Sequence, residues 1–287
     1  MLSETLTLTQ TYPRVLSIAG SDSGGGAGIQ ADLKTFCALG VYGMTALTAL
    51  TAQNTQGVQA IQALPESFLK AQLQSVGEDI GVDAVKIGML HTPQMVEVVS
   101  WAIEHFQWQR VILDPVMVAT SGDRLIGEDT AARIVELLFP RVSLITPNLD
   151  EAAVLIGTTP QNDEALIEAA WRLQAMGAKG VLLKGGHMKG PDVVDVYLSE
   201  DQQISLFKSP RIHSLNVHGT GCTLSSAIAS FVAKGMTMDQ AIESGKAFIT
   251  QAIEHGKDVK TGGLSSGYAH GPLNHGFAPL VMEKSAL

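Results

Sequence analysis

Cysteine is nearly absent from this chain: Cys37 and Cys222 are the two among 287 residues. Two thiols so far apart make no disulfide framework and no metal-ligand spacing, which points to a reducing, cytoplasmic compartment. Positive charge is scarce too. Nineteen Lys and Arg against 28 Asp and Glu leave a net charge of -9, which excludes a general binder of nucleic acid or of anionic membranes, since both reward a basic surface. Local phosphate binding survives that exclusion, because helix ends and a few cations can hold phosphate inside an acidic protein. Long hydrophobic runs are also missing. No stretch of about 18 apolar residues escapes interruption by Gly, Thr or Gln, so no membrane span is expected. The Thr-rich start, Met1 to Tyr12, has no basic residue and does not read as a signal peptide. Linker composition and internal repeats are lacking as well. The expectation is a flexible leader over 1–13 and a single domain over 14–287.

What the chain does have is a 45% apolar share and 29 glycines, the profile of a well-buried α/β protein. Apolar strands are expected at Arg14–Ala19, Thr45–Ala52, Val58–Leu64, Ala84–Ile87, Val111–Leu113, Leu144–Thr146 and Val181–Leu183. Helical patterns fall near Gly28–Leu39, Ser67–Gly77, Pro93–His105, Thr130–Leu138, Glu164–Met176 and Thr237–His255. In the first helix Leu33, Phe36, Cys37 and Gly40 keep the spacing of a buried face. Strand–helix–strand repetition implies a mostly parallel sheet with helices on both faces, and such sheets bind ligands beyond the carboxyl ends of their strands. Glycine-rich or polar sequences stand at five such ends: Gly20 onward, Lys86-Ile87-Gly88-Met89, Asp114-Pro115-Val116-Met117, Pro147-Asn148 and Lys184-Gly185-Gly186-His187. One shared cleft is expected. The Gly- and His-rich tail, Lys257 to His275, reads as a surface loop.

His218-Gly219-Thr220-Gly221-Cys222-Thr223 runs into Leu224, Ile228, Phe231 and Val232, one helical face, so a helix begins close to Gly221. Its first amides lack intrahelical partners and point outward with the positive end of the dipole. The glycines let an anion approach the backbone. A loop that merely turns the chain into a helix has the same composition, and both readings stay open on this motif. It is not a Walker A loop, because no Gly-Lys-Ser/Thr follows. Cys222 sits where a helix N-terminus lowers a thiol pKa. It is either a base or orienting group for a substrate hydroxyl, or a small space-filling residue.

The segment Gly20-Ser21-Asp22-Ser23-Gly24-Gly25-Gly26-Ala27-Gly28-Ile29-Gln30-Ala31-Asp32 resembles the amino-terminal signature of hydroxymethylpyrimidine/phosphomethylpyrimidine kinases. Ala52-Gln53-Asn54-Thr55, Lys86-Ile87-Gly88-Met89-Leu90, Thr146-Pro147-Asn148-Leu149-Asp150-Glu151, Lys184-Gly185-Gly186-His187 and His218-Gly219-Thr220-Gly221-Cys222 are similar to that family in order and register, from about Val15 to Ile253. The resemblance implies a three-layer ribokinase-like α/β fold with a small lid, and homodimers. The implied activity is ATP-dependent phosphorylation of 4-amino-5-hydroxymethyl-2-methylpyrimidine and then of its monophosphate, for thiamine biosynthesis. Ser23-Gly24 departs from the Pro-Ser often found there, which loosens the expected contacts of that loop.

The same resemblance assigns roles. Gln53 falls where the family reads the pyrimidine: one carboxamide offers a donor beside an acceptor, the pairing by which Gln reads adenine. Asp32 falls on a second substrate-side position; by itself it reads as a solvated helix carboxylate. Gly20, Met89 and Val116 are expected as pocket walls. Glu151 is expected to associate with Mg2+ through water, while Asn148 and Asp150 also suit a helix cap. Lys184, Asn148 and Asp114 belong to the nucleotide side, and Lys246 is either a nucleotide contact or a solvated lysine. Gly219, Thr220, Gly221 and Cys222 would hold the moving phosphoryl group. Two alternatives remain: a pyridoxal or pyridoxine kinase of the same fold, whose pyridine substrate lacks the 4-amino donor that Gln53 would read, and a pyrimidine-binding relative without turnover.

Overall fold

The computed structural model describes residues 10–117, 125–186, 188, 190–263, 270–282 and 284–286. Most of the expected leader, His187 and part of the Gly/His tail lie outside the described residues. In chain order the elements are β1 (Gln10–Thr11), β2 (Arg14–Asp22), α1 (Gly28–Ala38), β3 (Tyr42–Asn54), β4 (Gly57–Ala63), α2 (Glu66–Asp79), β5 (Ala84–Ile87), α3 (Pro93–His105), β6 (Val111–Leu113), α4 (Glu128–Leu137), β7 (Leu144–Ile145), α5 (Leu149–Ile156), α6 (Asp163–Ala175), β8 (Val181–Leu183), β9 (Asp192–Leu198), β10 (Ile204–Pro210), α7 (Thr220–Ala233), α8 (Met238–Glu254) and β11 (Ser285–Ala286).

The main sheet runs β10-β9-β8-β7-β6-β5-β2-β3-β4, and β1 pairs with β11 apart from it. Neighbours from β8 through β3 are parallel. The outer pairings β3–β4, β8–β9 and β9–β10 are antiparallel. Every residue of β5, β6, β7 and β8 is buried, as parallel strands covered on both faces require. Side chains alternate between the two faces. Val85, Ile87, Val111, Leu113 and Leu183 pack with the α2, α3, α4 and α6 side, while Ile112, Leu144 and Leu182 join Leu224, Ile228 and Ile242 of α7 and α8. The architecture is therefore the expected α/β sheet with helices on both faces; the small lid is not delimited among the described residues. No helix of the described residues is long and apolar enough to cross a membrane.

Local signals place the helices. Thr92 caps α3 by accepting from the Met95 amide, with Pro93 at the first turn. Asn148 with Glu151, and Thr237 with Gln240, close reciprocal capping boxes on α5 and α8.

The α1 face expected from apolar spacing holds at Phe36 and Gly40, which are buried, but not at Leu33 and Cys37. Leu33 is 38% exposed and Cys37 is exposed, whereas Ile29, Asp32, Thr35 and Phe36 are buried. A carboxylate occupies the inward row because a cation meets it there. In β5 the alternation that sends Val85 and Ile87 to one face sends Lys86 to the other, toward α1 and α7. Lys86 Nζ lies 2.9 and 3.0 Å from the two Asp32 oxygens. The Ser17 hydroxyl on β2 donates to Asp32 Oδ2 at 2.5 Å, and the Ser226 hydroxyl on α7 donates to Oδ1 at 2.7 Å. All four residues are fully buried. Burial opposes the Lys86 charge, but Asp32, together with Cys222 and Asp114, outweighs it and the ammonium is held well above its ordinary pKa.

Removing one partner of such a pair strands the other charge, which costs about 3–5 kcal/mol. Asp32→Leu is expected to lower the urea unfolding free energy by that much, and the Asp32→Leu/Lys86→Met double variant to recover most of it. Equal losses in both would show that the charges are not coupled.

Candidate active site

The carboxyl ends of the parallel strands open into a cavity of about 840 Å³, and every residue expected at a site lines it except Asp32. Asp32 is the correction: it lies beneath the cavity with both oxygens engaged, neither solvated nor facing a ligand.

At one end of the cavity α7 begins. Gly219 caps it at φ +84°, and a Cβ there would stand 1.9 Å from the Gly26 carbonyl oxygen, so only glycine fits. The Thr223 amide donates to the Gly219 carbonyl. The amides of Gly221 and Cys222 precede that bond, at the positive end of the helix. Lys184 Nζ donates to Asp114 Oδ1 at 2.9 Å, and the Thr146 hydroxyl donates to the same oxygen at 3.0 Å. A Cβ on Gly221 would come within 3.1 Å of Lys184 Nζ, so this ion pair lies directly against the helix start. Burial opposes the Lys184 charge, but Asp114 and Glu151 outweigh it and raise its pKa.

Glu151 accepts from the Asn148 amide at 2.8 Å, and Asn148 Oδ1 accepts from the Asp150 and Glu151 amides at 2.9 Å each. Burial pushes the Glu151 carboxyl up to about 8; Lys184 opposes this and Asp114 adds to it. Among the described residues no group of three or more His, Cys, Asp or Glu side chains is arranged to hold a metal ion.

Cys222 reverses the expectation of a lowered pKa. Burial pushes its thiol up to about 11; Lys86 works the other way, while Asp32 and Asp114 add to the rise. The thiol form dominates at neutral pH. Lys246, read as either solvated or a nucleotide contact, is not solvated: its ammonium donates to Asp195 Oδ2 at 2.5 Å, and Asp195 Oδ1 accepts from the Gly185 amide at 2.8 Å.

At the other end, a Cβ on Gly20 would stand 2.6 Å from Met89 Cε, so the two residues form one apolar wall. The Gln53 carboxamide lies between Thr51 Oγ1 at 3.0 Å and His218 Nε2 at 3.3 Å. His218 Nε2 is 3.1 Å from Asp22 Oδ2. The Asp22 carboxylate also accepts from the Gly24, Gly26 and Ala27 amides at 2.8, 3.0 and 2.9 Å. Burial disfavours that carboxylate, yet His218 and the Ala27 and Gly24 amides outweigh burial and lower its pKa.

Residues 22–272 match the family model described as phosphomethylpyrimidine kinase. The chain belongs to that family. It is 45% identical over 261 residues to the hydroxymethylpyrimidine/phosphomethylpyrimidine kinase of Rhizobium meliloti, covering 91% of this chain and 96% of that one. It is 47% identical over 266 residues to the thiamine biosynthesis bifunctional protein ThiED of Geobacter sulfurreducens, covering 92% of this chain but only 53% of that longer protein. Among solved structures, an ADP complex of Bacillus subtilis pyridoxal kinase superimposes with a TM-score of 0.83 at 38% identity, covering 92% of this chain and 98% of that one.

Within this cavity, the sequence reading missed the partners rather than the named residues. Asp22, His218, Lys86 and Asp195 all line the cavity and none had been assigned a role. Lys86 carried a usable signal, as the one charge in the apolar strand Ala84–Ile87. Asp195 carried none, since its strand was not anticipated.

The two thiols make opposite predictions. At pH 8 iodoacetamide is expected to modify exposed Cys37 well before Cys222, followed by peptide mass mapping. Alkylation of Cys222 at the rate of Cys37 would contradict the raised thiol.

Proposed function

We propose that this chain transfers phosphate from ATP to the hydroxymethyl group of 4-amino-5-hydroxymethyl-2-methylpyrimidine and then to the resulting monophosphate, supplying the diphosphate for thiamine biosynthesis. The observation that carries this reading is a single cavity with a ring-reading carboxamide and a helix start joined through one residue. His218 touches Gln53 at 3.3 Å and is followed in the chain by Gly219, the cap of α7.

Phosphoryl transfer asks mainly for in-line positioning and charge stabilisation. Gln53 orients the ring, and the Gly20–Met89 wall with Val116 excludes water around it. The amides at Gly221 and Cys222 receive the transferred group, with the Lys184 ammonium alongside. The Cys222 thiol orients the attacking hydroxyl rather than taking its proton. Hard oxygen donors at Glu151 and Asp114 suit a magnesium ion that arrives with the nucleotide, since magnesium binds through one or two carboxylates plus phosphate oxygens. When bound, such an ion neutralises phosphate charge. The protein's own part is to hold the Glu151 carboxyl in place through the Asn148 amide; with its pKa raised, an incoming cation would have to displace its proton.

Pyridoxal is the competing substrate, because the Bacillus subtilis pyridoxal kinase shares the fold at 38% identity. Phosphorus NMR of the product from ATP, Mg2+ and the hydroxymethylpyrimidine is expected to show a monophosphate and then a diphosphate. A higher kcat/KM for pyridoxine than for the pyrimidine would overturn the assignment. A true general base contributes about 10²–10⁴-fold; Cys222→Ala is expected to lower kcat by less than about 10-fold, measured at saturating substrate.

A further inference from the structure

Hydrogen-bond arithmetic at the ring end of the cavity is restrictive. Thr51 Oγ1 lies 3.0 Å from the Ser21 carbonyl and 3.0 Å from the Gln53 carboxamide. Its single proton serves one acceptor. On the other side of the amide, His218 Nε2 is 3.3 Å from Gln53 and 3.1 Å from Asp22 Oδ2. Asp22 is a carboxylate with a lowered pKa that already gathers three backbone amides. An Nε2 lone pair facing that carboxylate would be repelled, so Nε2 carries a proton. A protonated Nε2 cannot accept from an amide NH2. As placed, Gln53 Oε1 faces Thr51 and Nε2 faces His218; the one consistent arrangement exchanges the two, turning the carboxamide oxygen toward His218 and its nitrogen toward Thr51. Thr51 then donates to Ser21 and accepts from Gln53, and His218 shares its N–H between Asp22 and Gln53. Which atom of a carboxamide is oxygen is settled by such partners.

We propose that His218 is a positioning residue, held by Asp22, whose Nε2–H fixes the orientation of the Gln53 carboxamide and thereby the donor–acceptor pattern shown to the substrate ring. The inference rests on the reading of Gln53 as the ring-recognising group. In the fixed orientation one oxygen lone pair and one N–H of Gln53 remain for a ligand, side by side. They match a ring nitrogen beside an exocyclic amino group. A pyridine ring without the amino group fills only half of the pattern, so the relay also acts as a specificity element.

Two measurements test it. In protein labelled with ¹⁵N-imidazole histidine, with His218→Asn assigning the signal, the long-range proton–nitrogen spectrum is expected to show a proton on Nε2 of His218 at neutral pH. An unprotonated Nε2 overturns the proposal whatever the substrate is. In kinetics, losing one hydrogen bond is worth roughly 3–10-fold. His218→Asn and Thr51→Val, which loosen the amide from opposite sides, are each expected to raise KM for the hydroxymethylpyrimidine by about that factor, with kcat within about twofold and reduced preference over pyridoxine. Thr51→Val leaves His218 in place and guards against misfolding of the first variant. Unchanged KM in both, beside a raised KM in Gln53→Ala, would overturn the relay. Unchanged KM in Gln53→Ala would instead remove the reading of Gln53, and the inference with it.

Discussion

A fully buried lysine ammonium, and the carboxylate that balances it, hold this site in shape. Lys86 and Asp32 join β5 to α1, and the hydroxyls of Ser17 and Ser226 bring β2 and α7 to the same point. Each of those elements delivers part of the cavity. β2 ends at the Gly20 wall, α1 follows the loop that folds around Asp22, β5 leads to Met89, and α7 starts at the other end of the cavity. A buried ion pair gains little net stability over apolar packing; here it fixes which way four elements face. It also reaches the chemistry, since Lys86 and Asp32 act on the Cys222 thiol in opposite directions.

The acidic chain can bind anions in the proposed reading through a few cations placed in the cleft. Three lysines line the cavity, and each is matched by a buried aspartate: Lys86 by Asp32, Lys184 by Asp114 and Lys246 by Asp195. A net charge of -9 describes the surface seen from afar. Inside the cleft the balance is near neutral, and oriented amides supply the remaining attraction.

Much of this was legible in the sequence, for a physical reason. Strands β5, β6 and β8 are buried throughout, so their apolar runs begin and end where the structure begins and ends them. The antiparallel β9–β10 pair was not anticipated: β10 alternates exposed with half-buried residues and β9 carries Asp195 in its middle. The inward face of α1 was misjudged because apolar periodicity skips a charged position, and Asp32 is charged and buried. The Cys222 thiol was misjudged because its place at a helix start was weighed without its burial. Both errors concern partners distant in the chain, such as Lys86, 54 residues from Asp32, which a local pattern does not contain.

The glycines of the two loops divide the cavity into a part that substitution can reshape and a part that it cannot. A side chain at Gly219 would strike the Gly26 carbonyl, and one at Gly28 would strike the Gly20 carbonyl at 2.3 Å. Those obstacles belong to the main chain, which no second mutation can trim. At Gly20 the obstacle is Met89 Cε, the tip of a flexible side chain that a smaller residue would remove. The Gly20–Met89 wall can therefore be reshaped by a single substitution, while the main chain around Gly219 and Gly28 cannot.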